Sequence, residues 1–433
     1  MNAVRLIVDK ENKNYSLGKE TSFLTPKFLY YPLFDGGKEV ECLVKPGDKV
    51  LIGTVIGKRT GPFPTFIHAS CSGKVIKIDE KVWHPSGVIK QNIVIENDFK
   101  DEWENGLNKE TSKEPTKENI IEAMEKCGIV GMGGGGFPMW AKYKGVTGID
   151  TVVINAVECE PYLTVDLLLA ETKAFELVEG VKLAMIAASS KEAVIVFKKK
   201  FKEIVEKNLV PKLPENIKVK YLKNVYPAGF EKYVILKALK RKCTALPCTV
   251  GVIVNNVQTI IALYDAFKFN RPVVTKYLTV SGPIFESPSN VLVKVGTLVS
   301  ELINERFKLK DENTQNWQLL AGGPMTGTVM VNDNFPVIKC LSGITILPAK
   351  EVKEVPCLKC GKCIDVCPSK LSPVIINSAY KARNNEAVKT LRPDLCIECG
   401  LCSYICPSRI DVSFTVKQAK NYYKTLIEKE KAK

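Results

Sequence analysis

Residues 357–368 read CLKCGKCIDVCP, and residues 396–407 read CIECGLCSYICP. The same spacing, C-x2-C-x2-C-x3-C-P, occurs twice. Three thiolates two residues apart can wrap one face of a [4Fe–4S] cubane on a single short loop. The fourth, set after a longer gap, reaches the other cube. The spacing therefore predicts Cys357, Cys360, Cys363 and Cys406 on a first cluster. Cys396, Cys399, Cys402 and Cys367 go to a second. Zinc sites use two separated C-x2-C pairs and have no use for a third cysteine at the next step. Between the runs, 372–387 reads as a helix, so the unit over 350–433 is a ferredoxin type with a helical insertion. The tail, 413–433, reads as a solvated, lysine-rich helix.

The other seven cysteines are scattered and odd in number, which argues against a disulfide framework and fits a reducing compartment. The chain has 433 residues, 45% of them hydrophobic, too many for one core. No stretch reaches the roughly 18 to 20 apolar residues of a membrane span. The N-terminus lacks a secretory apolar region. A cytoplasmic protein, at most peripheral to a membrane, is expected. The net charge is +15, but the lysines are dispersed, so nucleic-acid binding is not expected. With only His68 and His84 present, histidine-based catalysis is nearly excluded.

Residues 1–100 read as short strands broken by turn signals. VKPGDKVLIGTVIG (44–57) and IHASCSGKVIKI (67–78) resemble the halves of a biotinyl/lipoyl-type barrel-sandwich. Between them KRTGPFPTF (58–66) lacks a carrier lysine motif, so a scaffold is expected and not a swinging arm. Residues 101–117 are a polar linker. Thr116 can cap a helix over 117–127.

GMGGGGFPMWAKY (131–143) formally matches G-x-G-x-x-G, but a helix precedes it, whereas the dinucleotide fingerprint follows a strand. Its bare backbone can still receive a flat ring or a phosphate. Residues 118–269 alternate strands with amphipathic helices (166–188, 230–240), the pattern of a mostly parallel α/β sheet. Ligands in such sheets bind beyond the carboxyl ends of strands. Asn155, Glu158, Glu160, Asn255 and Asn256 fall there. Residues 270–349 return to strands with a helix near 297–306, a small β-grasp (SLBB-like) module. Its GGPMTG (322–327) reads as a tight turn.

The glycine loop, INAVECEP (154–161) and VNNVQT (254–259) resemble three motifs of the flavin subunit of respiratory complex I. The domain order, ECEPYLT and YPAGFEKYVI (226–235) bring the chain closer to the C-subunit family of Rnf electron-transport complexes. That resemblance implies a multidomain α/β and β protein. It would be a peripheral subunit on the cytoplasmic side of the membrane, with non-covalent FMN, two [4Fe–4S] clusters and NAD(H) as substrate. The other Rnf subunits would be its partners, and ferredoxin would be reached through the complex. Electron transfer would drive Na+ or H+ movement. Carried over by motif, Gly131, Gly133, Gly134 and Gly136 line the FMN. Phe137 lies near the nicotinamide, and Lys142 on the phosphate. Asn155, Asn255 and Asn256 bind the flavin, while Glu158 and Glu160 face flavin and nucleotide. No acid–base side chain is required for hydride transfer. Met132, Val157 and Gln258 depart from the complex I motifs and leave less charge for phosphates. A cobalamin reductase of diol-utilisation microcompartments shares this layout and is the alternative. A relay with a decayed flavin site is a second, opposed by the intact glycine loop.

Overall fold

A computed structural model describes residues 11–310, 316–349 and 353–431. Turn residues chop residues 28–97 into strands. These form two four-stranded sheets, one built on the long hairpin Gly73–His84 and Val88–Asn97, the other on Lys38–Cys42 and Val55–Arg59. Leu29, Tyr31, Ile56, Val75, Ile93 and Ile95 close the core between them. The segment expected as a linker is tied down on both sides. Trp103 bridges to Ile52, and the N–H groups of Lys109 and Thr111 donate to the carbonyls of Phe269 and Lys268.

The α/β unit has a four-stranded parallel sheet in the order Ile217–Leu222, Glu192–Lys198, Thr151–Asn155, Val252–Asn256. Its strands are apolar runs because both faces are covered. The helices Lys117–Lys126, Ala174–Ala188 and Val257–Phe269 pack on one face. Val153, Val194 and Val254 turn to the other, where Val234, Ile235 and Ala238 lie over them. Thr116 caps the first helix, as the sequence predicts, and Asn119 bonds back to it to complete a capping box. The helix expected over 166–188 is two helices, Val165–Thr172 and Ala174–Ala188, broken at Lys173. The one expected at 230–240 is a short α-turn, Glu231–Val234, running into a π-turn, Ile235–Leu239.

The β-grasp region is a six-stranded mixed sheet carrying the helix Val299–Arg306. One edge strand, Glu20–Phe23, comes from the far end of the chain and runs parallel to Ser289–Lys294. The cluster region follows. Its insertion is again two helices, Pro373–Lys381 and Asn385–Leu391, and the last helix is Val412–Lys431. That helix is not merely solvated: Val416 and Ala419 are buried beside Leu371 and Ile376.

Candidate functional site

The strands Thr151–Asn155 and Val252–Asn256 pair in register, Ile154 opposite Asn255 and Asn155 opposite Asn256. Three amides are thereby set side by side at the carboxyl end of the sheet. A cavity of about 770 Å³ opens there, within the size range of cofactor and nucleotide sites. Gly131, Gly133, Gly134, Phe137, Lys142, Asn155, Glu158, Glu160, Asn255 and Asn256 all line it. Gly136 does not. Its carbonyl accepts from the buried Arg59 guanidinium (3.2 Å), so it anchors the loop from behind. A Cβ on Gly133 would stand 2.8 Å from the Asn256 side chain, whereas one on Gly134 would meet nothing within 4 Å. The loop is bare where it packs on the sheet and bare where it faces the cavity.

The amides are already oriented. Asn155 donates to the Gly229 carbonyl (2.8 Å) and Asn255 to the Tyr143 hydroxyl (2.6 Å). The Asn256 amide donates to both oxygens of Asp166 (2.9 and 2.8 Å). Lys142, expected at a phosphate, donates to the Val254 carbonyl at 2.7 Å. It also lies 3.5 Å from Glu231.

Glu158 and Glu160 sit on a loop with unusual backbone: φ is +39° at Glu158 and +69° at Tyr162. Both carboxyls are buried, and burial raises both above the ordinary range. Glu158 Oε1 accepts from the Asp166 N–H (3.1 Å), while its Oε2 has no hydrogen-bond partner. Glu160 is spoken for. Its oxygens accept from the N–H groups of Met325 (2.6 Å) and Thr326 (3.2 Å) and from the Thr326 hydroxyl (3.0 Å). The GGPMTG stretch is a tight turn, as expected, closed by the Gly327 N–H on the Gly323 carbonyl. It is also the cradle of a site carboxylate. A Cβ on Gly323 would lie 2.5 Å from Glu160 Oε1.

Sequence reasoning missed several lining residues. Asp166 opens a helix and reads as an ordinary first-turn acid. In the fold, burial and the neighbouring Glu158 push it up to about 8. Lys276 alternates in register with Leu278 and Val280 on the apolar side of its strand, a charge in an inward position that was legible. Its ammonium donates to the Met132 carbonyl (2.9 Å), and burial pulls it down to about 8. The β-grasp region thus supplies a cation beside Met132, one of the positions that depart from the complex I motifs. Phe63, at the tip of the barrel hairpin, stands edge-on to Phe137 with ring centroids 5.2 Å apart. The hairpin where carriers bear their lysine is a wall of this cavity. Neither histidine lines it. Burial holds His68 near 3 and His84 near 4, so both are neutral.

Ile397 and Cys399 of the second cysteine run also line the cavity. The Tyr226 hydroxyl donates to the Cys399 carbonyl (2.7 Å), and a Cβ on Gly400 would lie 2.5 Å from the Met325 carbonyl. The run is therefore in close contact with the wall of the cavity. The two runs share one backbone template: φ is +56° at both Lys359 and Glu398, +76° and +74° at Gly361 and Gly400, +54° and +55° at Lys370 and Arg409. The Lys359 and Glu398 N–H groups each point at the sulfur two residues back, at 3.4 Å. The thiol of Cys367 is close enough to Cys396, Cys399 and Cys402 for their charges to interact. Among the described residues no three metal-ligating side chains converge on a single ion-sized point. Cys357 and Cys360 are exposed, whereas the other six cysteines of the two runs, Cys396, Cys399 and Cys402 among them, are half-buried.

Comparison with known proteins matches three regions of this architecture. Residues 7–100 match the RnfC barrel sandwich hybrid domain, 124–265 the Nuo51 FMN-binding domain, and 350–425 the 4Fe-4S dicluster domain. The C subunit of the ion-translocating oxidoreductase complex of Rhodobacter capsulatus is 34% identical, over 81% of this chain and 69% of its own. The C subunit of the proton-translocating ferredoxin:NAD(+) oxidoreductase complex of Clostridium ljungdahlii is 32% identical, over 85% and 82%. Its Na(+)-translocating counterpart from Acetobacterium woodii is 33% identical, over 79% and 78%. An NAD+-reducing [NiFe]-hydrogenase chain in the air-oxidized state superposes with a TM-score of 0.50 at 14% identity. It covers 71% of this chain and 66% of its own, and it speaks to the fold alone.

Proposed function

The chain belongs to the C-subunit family of ion-translocating (Rnf) oxidoreductase complexes, and on that premise we propose how its cavity and cysteine runs divide the work. It is an oxidoreductase subunit with an FMN domain and two [4Fe–4S] clusters. It exchanges electrons with NAD(H) as part of a ferredoxin:NAD+ oxidoreductase that moves Na+ or H+. The names of the relatives favour this over the cobalamin reductase alternative. Among the described residues no helix is long and apolar enough to cross a membrane. The chain then meets the membrane through partner subunits, at its cytoplasmic face.

A bound flavin supplies the exchange between two-electron hydride chemistry and one-electron transfer. The chain's residues do the rest. The glycine loop gives a flat ring a surface without Cβ atoms. Asn155, Asn255 and Asn256 turn polar edges to it, each fixed by a second hydrogen bond. Lys142 and Lys276 supply positive charge for anionic groups. Phe63 and Phe137 cover the mouth and keep water from the transfer. We assign Cys367, Cys396, Cys399 and Cys402 to the cluster beside the flavin. Cys357, Cys360, Cys363 and Cys406 hold the outer one, from which a one-electron partner draws.

The observation that carries this reading is the cavity wall itself, shared by the glycine loop, Glu158 and Cys399. Purified, reconstituted protein should show a flavin absorbance band that NADH bleaches anaerobically. Loss of flavin on gel filtration, with no NADH-dependent bleaching after FMN is added back, would rule it out.

A further inference from the structure

The loop that presents Glu158 and Glu160 is not held by the α/β unit alone. A short segment ahead of the barrel, residues 11–19, runs beneath it. Lys13 is 4% exposed. Its ammonium donates to the carbonyls of Glu160 (3.0 Å) and Leu163, and lies 3.9 Å from Glu158 Oε2. On either side, Asn12 donates to the Tyr162 hydroxyl, the Ser16 hydroxyl meets Thr164, and Tyr15 stacks on Tyr162. The Tyr162 N–H, on the positive-φ turn, donates to the Glu11 carbonyl. Glu11 is itself held by Lys198 and Lys200. These contacts fall on residues 158–164 or on the residues that fix the segment itself.

We propose that residues 11–19 are a working part of the flavin site and that Lys13 is its positioning residue. Its ammonium clamps the loop from below and holds the charge of the Glu158 carboxylate at the cavity wall, where it faces the bound flavin. This rests on the flavin assignment above. The physical reason is the cost of a buried charge. A carboxylate shut away from water protonates unless a cation or hydrogen bonds hold the charge. Glu158 has the backbone N–H groups of Asp166 and Val165 and one cation to hold its charge, and an acid, Asp166, beside it. The remaining titratable groups around it are Lys198 above all, with Glu11, Lys200, Cys159 and Glu160 further out. Lys13 is the cation in contact.

The test is FMN binding by FMN-stripped full-length protein, followed by quenching of flavin fluorescence from pH 6 to 8.5. Lys13→Met should bind FMN at least tenfold more weakly at pH 7, because the carboxyl then holds its proton. Its affinity should recover as pH rises, more steeply than that of the parent, in which Lys13 and Asp166 themselves titrate near 8. Glu158→Gln should weaken binding without this added slope. In the double variant the two losses should not add, since both act on one carboxylate. If Lys13→Met does not fold, the double variant is compared with Glu158→Gln: equal FMN affinity is expected, and a further loss on removing Lys13 would overturn the proposal. Binding and pH profile in Lys13→Met equal to the parent would overturn the proposal. So would a double variant that retained the slope or gave strictly additive losses. Failure of the parent to bind FMN would instead strike the flavin assignment.

Discussion

Asp166 shows how one residue can carry a pH dependence into the fold. Burial first, then Glu158, raises its carboxyl from the ordinary range to about 8. The native state then binds a proton that the unfolded chain releases near pH 4. Its contribution to stability is complete below pH 4 and is lost as pH rises toward 8. Asp166→Asn keeps the hydrogen-bond acceptor and removes the proton. The urea midpoint of the flavin-free variant should fall less between pH 5 and 8 than that of the parent. An identical slope in both would place the titration elsewhere. At this scale the sequence was partly legible. Asn155, Asn255 and Glu158 stood at strand ends, where ligands bind. Asp166 was hidden because a first-turn acid on a helix is ordinary. Glu160 was visible, but its partners were not, since nothing local to ECEP says that its donors lie 165 residues away.

At the scale of elements, the two cysteine runs were the most legible feature of the chain, because ligand spacing is a local geometric demand. What spacing could not give is which run meets the cavity. That is decided by Tyr226 and by the close approach of Gly400 to Met325, contacts between elements far apart in sequence. Cys367→Ser should therefore disturb the cluster of the later run and leave the other intact. Anaerobic EPR at low temperature should lose one of two interacting signals, and NADH-reduced flavin should pass electrons onward more slowly. Loss of the outer cluster instead would reverse the pairing. Two helices came out broken where the apolar period looked continuous, at Lys173 (φ −122°, ψ 40°) and at the left-handed Arg383. Arg383 has φ +51° between the two insertion helices. Periodicity alone does not see such a break, because the apolar stripe resumes on the other side. The last helix has a solvated pattern in sequence, yet Lys420 reaches back to the Cys396 carbonyl (2.8 Å) and to Glu398. Lys420→Met should make the later cluster more labile, read as faster iron release to a chelator.

Across the whole molecule the regions are interlocked. The first strand of the chain completes the β-grasp sheet, the barrel hairpin walls the cavity, and the β-grasp turn holds Glu160. Arg59 is the clearest joint. It is 5% exposed, pairs with Asp35 at 3.1 Å, and donates to the carbonyls of Phe63 and Gly136. Removing one partner of a buried pair costs about 3 kcal/mol, because the other charge is stranded. Arg59→Met should lower the urea midpoint and, through Gly136, weaken FMN binding in the same preparation. Unchanged FMN affinity in a destabilised variant would show the barrel to be a passenger.

The twin cysteine loops agree in backbone angle within a few degrees, and each aims an N–H at the equivalent sulfur. Ligand set and the backbone of the loops are thus held nearly constant, while one loop lies open to water and the other against the cavity wall. Cluster potentials respond to solvent exposure. A repeated motif set down in two different degrees of wetness is expected to put its two clusters at different potentials, and a redox titration that found them equal would refute this.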